Sequence, residues 1–119
     1  MSKYFSEAEF RRCTPSCHES DMDPYFLAVM DGIRSKANMP LLMSSAFRSV
    51  DYEHSKGRSG NSAHTRGKAV DFVANSSTSR YRIVRAAIQM GICRIGIGKN
   101  FVHVDCDQSL DQFVIWHYY

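Results

Sequence analysis

The chain predicts an α+β domain, a small, mostly antiparallel sheet packed with helices. Two segments, near residues 24–38 and 77–90, carry apolar residues at helical spacing between start and stop signals. Shorter segments near 67–74, 93–97, 101–106 and 114–118 read as strands. Helices come first, and mostly antiparallel strands follow with one helix inserted, which is the order of α+β domains.

Ser6-Glu7-Ala8-Glu9 has the form of a capping box, so a short helix through about Arg12 is expected, ending before Pro15. Asp23 as cap and Pro24 in the first helical position open a longer helix. It reaches about Asn38 and buries a stripe of Phe26, Met30, Ile33 and Ala37. Pro40 favours extended chain before it, and Leu41 to Phe47 reads as a strand. From Arg48 to Ala63 the chain is polar, glycine-bearing and aperiodic, the pattern of a long ordered loop of the kind that carries function. Gly67 to Ala74 regains alternation. Ser77-Thr78-Ser79 leads into a helix bearing Ile83, Val84, Ala87 and Ile88 and closed by Gly91. Two strands, Cys93 to Ile97 and Phe101 to Cys106, flank a short connection of Gly98-Lys99-Asn100, and a last strand covers Val114 to Tyr118.

At 119 residues this is a single domain, with residues 1–23 read as an amino-terminal extension and 24–119 as the core. No run approaches the roughly 18 apolar residues of a membrane span. Met1 to Glu7 lack the apolar centre of a secretory signal. A net charge of +3 is too small to argue for nucleic acid, but it favours approach to an anionic polymer such as a cell wall. The four cysteines form no strong framework. Cys13, Cys17 and the adjacent His18 read as small buried thiols, as half of a structural metal site, or as a disulfide in an oxidising compartment.

The chemistry concentrates in two stretches. Ser62-Ala63-His64-Thr65-Arg66-Gly67-Lys68-Ala69-Val70-Asp71 holds an imidazole and a carboxylate, and Phe101-Val102-His103-Val104-Asp105 holds a second imidazole on a strand. Two neutral imidazoles and one carboxylate suit Zn²⁺, and three protein ligands leave a fourth position for water. Alternation puts His103 and Asp105 on one face of their strand and Val102 and Val104 on the other. A carboxylate such as Asp71 inside an apolar strand is costly unless it is paired or metal-bound.

These blocks, with Ser45-Ala46-Phe47-Arg48-Ser49 before them, resemble the zinc D-Ala-D-Ala carboxypeptidase and L,D-endopeptidase family, which cuts the peptides of bacterial cell walls. The hedgehog amino-terminal domain shares that family's fold. The resemblance spans about residues 24–119, and the compact length is similar to short bacteriophage-encoded members. It implies a Zn²⁺ cofactor held by His64, Asp71 and His103, with Arg48 binding a substrate carboxylate or carbonyl oxygen. Many members place a proton acceptor two or three residues before the last ligand; here those positions are Phe101 and Asn100, which cannot serve. The His-x-Asp subgroup shares the arrangement His103-Val104-Asp105. Asp105 is therefore either the general base or the partner that orients His103, with Asp107 next on that face. Ser62 is expected to orient substrate or a ligand. Trp116, with Tyr118 and Tyr119, is expected to line a substrate groove, and His117 to be a surface or rim residue and not a fourth ligand.

The expected activity is metal-assisted amide hydrolysis on peptidoglycan peptides by a monomer, made in a host cytoplasm and acting on the wall by an unspecified route, in phage lysis or entry. The rival reading is a zinc-stabilised binding module without catalysis.

Overall fold

A computed structural model describes residues 1–119. Ser6 opens the first helix, α1 (Glu7–Arg11), with both bonds of the capping box: its hydroxyl accepts from the Glu9 amide, and Glu9 accepts from the Ser6 amide at 3.0 Å. The second helix, α2 (Pro24–Ala37), starts on Asp23, whose carboxylate accepts from the Phe26 amide at 2.9 Å. It ends on Asn38 in the left-handed conformation. Phe26, Met30, Ile33 and Ala37 are all buried, as the helical spacing requires. The residues before Pro24 are part of the same core, to which they contribute Phe5, Phe10, Cys13, Cys17 and Met22, and the Phe5 ring stacks on Phe72 at 5.9 Å.

Five strands, β1 (Met43–Ser45), β2 (Ala69–Val73), β3 (Arg94–Ile97), β4 (Phe101–Asp105) and β5 (Val114–His117), form one sheet in the order β1-β2-β4-β3-β5. All neighbours are antiparallel except β3 and β5, which run parallel. Residues 106–113 carry the chain past β3 to its far edge. The central strand β4 thus lies between β2 and β3, and alternation gives its two faces different tasks. Val102 and Val104, with Val70, Phe72 and Ile95 from the flanking strands, share a core with α2 and the last helix, α4 (Ser77–Gln89). Asp71, His103 and Asp105 occupy the opposite face. No helix is long and apolar enough to cross a membrane.

Three expectations need correction. The segment expected as a loop from Arg48 to Ala63 contains a short helix, α3 (Val50–Ser55), capped by Ser49, and leads into a 3-10 turn at Ala63–Arg66. The strand expected from Leu41 to Phe47 shrinks to three residues, because its pairing with β2 is irregular between Met43 and Ser45. On α4 the buried residues are Ile83, Ala86 and Ala87, whereas Ile88 is 55 % exposed.

Candidate metal centre and cleft

His64 reaches the sheet from the 3-10 turn, whose entry is fixed by Ser62: the hydroxyl accepts from the His64 amide at 3.2 Å. Gly67 closes the turn with φ of +69°, a conformation that glycine adopts without steric cost. Asp71 on β2 lies directly opposite His103 on β4 in the antiparallel register. The three side chains meet. His64 Nε2 and His103 Nδ1 are 3.2 Å apart, His103 Nδ1 and Asp71 Oδ1 3.0 Å, and His64 Nε2 and Asp71 Oδ1 3.4 Å. A tetrahedral ion with bonds of about 2.0–2.1 Å sets its ligand atoms about 3.3–3.4 Å apart, so this triangle fits zinc with little movement.

The bonds made by the other ring nitrogens fix which nitrogen faces the centre. His64 Nδ1 lies 2.6 Å from the carbonyl oxygen of Ala46 and donates its proton there, which leaves the Nε2 lone pair toward Asp71. His103 is oriented the opposite way: Nε2 donates to Asp105 Oδ2 at 2.7 Å and Nδ1 faces the centre. Both Asp105 oxygens are engaged, since Oδ1 accepts from Arg94 Nε at 2.8 Å and from the Asp107 amide at 3.1 Å. Asp105 is fully buried. Asp107 is held by Arg66 and by Ser109.

Electrostatics follow from this packing. Burial pushes the His64 pKa down, and the neighbouring Asp71 offsets only part of that. Burial acts on His103 in the same sense, but the bonds to Asp105 and Asp71 outweigh it and leave its pKa raised. Asp71 is held well below the usual carboxylate range: burial opposes ionisation, and the two imidazoles more than compensate.

The centre opens into a cleft of about 320 Å³. Arg48, Ser62 and Trp116, all expected near substrate, line it, as do His64, His103 and Asp105. Arg48 follows β1, and its amide donates to the His64 carbonyl at 3.2 Å, which ties the backbone of the arginine to the ligand turn. Trp116 stands across the sheet on β5, 5.4 Å from the His103 ring and stacked with the Arg94 guanidinium at 4.9 Å. Gly96, paired with Trp116, leaves the space that Trp116 and Tyr118 fill. Tyr118 lines the cleft. Tyr119, expected to do so, instead packs beside His117 outside it.

Three charged cleft residues were missed from the sequence: Glu53, Arg58 and Arg94. The Ser49 cap followed by acidic Asp51 and Glu53 was the available signal for α3 and so for the inward face of Glu53. Arg94 gave none beyond strand alternation. Cys13 and Cys17 are buried free thiols that donate to the carbonyls of Glu9 and Phe10, while His18 pairs with Glu7 at 2.7 Å.

Two histidines and one aspartate meet on the open face of an α+β sheet, beside a cationic and aromatic cleft, and form the ligand set of a candidate metal centre. The family model described as Peptidase M15 matches residues 3–105, and the chain belongs to that family. The fold is also that of a solved structure, the Serratia marcescens L-Ala D-Glu endopeptidase ChiX. The TM-score is 0.52 at 20% sequence identity, covering 74% of this chain and 82% of that one. No curated protein matches the sequence. Trp116 and Tyr118 lie beyond the family match, so the aromatic wall is a feature of this chain outside the matched segment.

Proposed function

We propose that the chain is a zinc-dependent peptidase that hydrolyses amide bonds in the peptides of bacterial peptidoglycan, as a carboxypeptidase or an endopeptidase. The observation that carries this reading is the triangle of His64 Nε2, Asp71 Oδ1 and His103 Nδ1, whose edges suit one tetrahedral ion with a position left for a fourth ligand. Membership of a peptidase family and a fold shared with an L-Ala D-Glu endopeptidase support the substrate class. His64, Asp71 and His103 would hold the zinc ion, which would supply Lewis acidity toward a scissile carbonyl and a water.

The protein's own residues prepare that site. Ala46 and Asp105 hold the outer protons of His64 and His103, so both imidazoles present a lone pair inward. Asp105 acts as the orienting partner of His103 and not as the general base, because His103, Arg94 and the Asp107 amide occupy its two oxygens. Arg48 brings a permanent positive charge to the cleft, suited to the negative charge that develops on a carbonyl oxygen. Trp116 and Tyr118 provide a wall for the peptide, and Ser62 holds the ligand turn in place. We place the action at the cell wall, by a monomer, in the setting of phage lysis or entry.

A zinc-stabilised binding module is the second reading. One observation favours it: the two carboxylates lining the cleft besides the ligands, Glu53 and Asp105, are both engaged by arginines. Digestion of purified peptidoglycan with and without chelator decides. Chelator-sensitive release of peptides supports the peptidase, and tight zinc binding without turnover supports the module.

A further inference from the structure

The cleft has unequal ends. Its β5 side is aromatic, and its β1 side is cationic. Arg48, Arg58 and Arg94 face the cleft with only Glu53 and Asp105 to balance them. Asp105 is committed to Arg94 and His103, which leaves Glu53 alone to serve two guanidinium groups.

Glu53 is 1 % exposed, an unusual position for a carboxylate unless it is paired. Its Oε2 accepts from Arg58 Nη1 at 2.6 Å, and its Oε1 lies 3.7 Å from Arg48 Nε. The turn after α3 folds Arg58 back over the helix, with the Arg58 amide donating to the Glu53 carbonyl at 2.9 Å. One donor group remains open. Arg48 Nε is buried against Glu53 Oε1, 3.7 Å away and beyond hydrogen-bond reach, so Glu53 holds this guanidinium by charge. The Arg58 side chain is half exposed, and its fork of donors is satisfied only at Nη1. One positive charge thus stands in excess at this end, in a geometry suited to an oxyanion.

We propose that Glu53 is a positioning residue that holds Arg48 and Arg58 as a paired cation site at the β1 end of the cleft, and that Arg58 sets specificity by receiving a carboxylate of the bound peptide. The proposal rests on the peptidase reading for its substrate, and the peptide then lies across the sheet with a carboxylate at Arg58 and its other end against Trp116.

The test uses the full zinc-loaded chain and the synthetic peptide L-Ala-γ-D-Glu-L-Lys-D-Ala-D-Ala, together with versions in which each carboxylate in turn is a carboxamide. Hydrolysis gives kcat and KM, and calorimetry gives affinity independently of turnover. For the wild type, one amidation is expected to lower kcat/KM about tenfold or more, mostly through KM. Arg58→Ala brings that ratio close to one. Glu53→Ala does the same with Arg58 still present, and Glu53→Gln, which keeps an acceptor oxygen, restores part of it. Lys56→Ala, an equal loss of charge outside the cleft, keeps the wild-type ratio. Hydrolysis of all forms at equal kcat/KM overturns this proposal and leaves the peptidase reading intact. If no peptide is cleaved, the peptidase reading fails and the binding data decide: tighter binding of the acid, lost in Arg58→Ala, sustains the cation site, and equal affinities overturn it.

Discussion

Asp105→Asn separates an orienting role from a proton-accepting one. The fully buried Asp105 carboxylate accepts from His103 Nε2 at 2.7 Å, Arg94 Nε at 2.8 Å and the Asp107 amide at 3.1 Å. Asparagine supplies one oxygen and one NH₂ group. If the oxygen stays with Arg94 and Asp107, the NH₂ faces His103 Nε2, which must then accept. The ring proton moves to Nδ1, where the lone pair for the metal is needed. Loss of such a partner lowers metal affinity about 10- to 100-fold, or about 1.4–2.7 kcal/mol. If the amide turns the other way, Arg94 loses its carboxylate partner, with a stability cost of about 3 kcal/mol or more. Competition titration against a chromogenic chelator, with kcat measured at saturating zinc, reads the outcome. The account predicts weakened zinc binding with substantial turnover once zinc is saturating. Unchanged zinc affinity with kcat reduced by about 10² or more identifies Asp105 as the base and refutes the reasoning.

Zinc binding at this centre would have to displace the proton that Asp71 and Asp105 hold on His103, whose raised pKa keeps it charged further into neutral pH. Calorimetry in buffers of different ionisation enthalpy should therefore show release of up to about one proton near neutral pH, fading at higher pH; pH-independent release contradicts this. In the metal-free protein the His103 contribution to stability is full below the ordinary histidine value of about 6.5 and is lost as pH rises through the raised value. The Asp71 contribution is present above the ordinary value of about 3.9 and is lost as pH falls through the depressed one. Gly67→Ala imposes a side chain at φ of +69°, against the Asp21 carbonyl and 3.0 Å from the Asp23 amide nitrogen, and is expected to cost at least about 2 kcal/mol in denaturant unfolding. A loss under about 0.5 kcal/mol argues against that packing. Gly96→Val drives a Cβ to within 2.7 Å of Tyr118 and 2.8 Å of Trp116. Because Trp116 is the only tryptophan, its emission should shift to the red as KM for wall peptides rises, and an unmoved spectrum counts against the aromatic wall.

Local signals were read well because their causes are local. Ser6 with Glu9, and Asp23 with Pro24, fix helix starts through bonds three residues long. Alternation in Phe101 to Asp105 put His103 and Asp105 on one face and the valines on the other, as observed. The segment Arg48 to Ala63 was opaque for a physical reason. The one buried residue of α3 is Glu53, so there is no apolar stripe, and what stabilises it comes from arginines on either side of the helix. The parallel pairing of β3 and β5 is likewise set by contacts remote in sequence. His64, Asp71 and His103 stood out by their chemistry, and the role of Arg48 came from a family resemblance. The bond from His64 to the Ala46 carbonyl, which selects its inward nitrogen, joins residues 18 apart and leaves no mark on either motif.

The most direct measurement is diffraction from crystals of the zinc-loaded protein on both sides of the zinc absorption edge. A single anomalous peak within bonding distance of His64 Nε2, Asp71 Oδ1 and His103 Nδ1 is the predicted result. An empty centre, or zinc seated instead on the Cys13 and Cys17 thiols, contradicts the account.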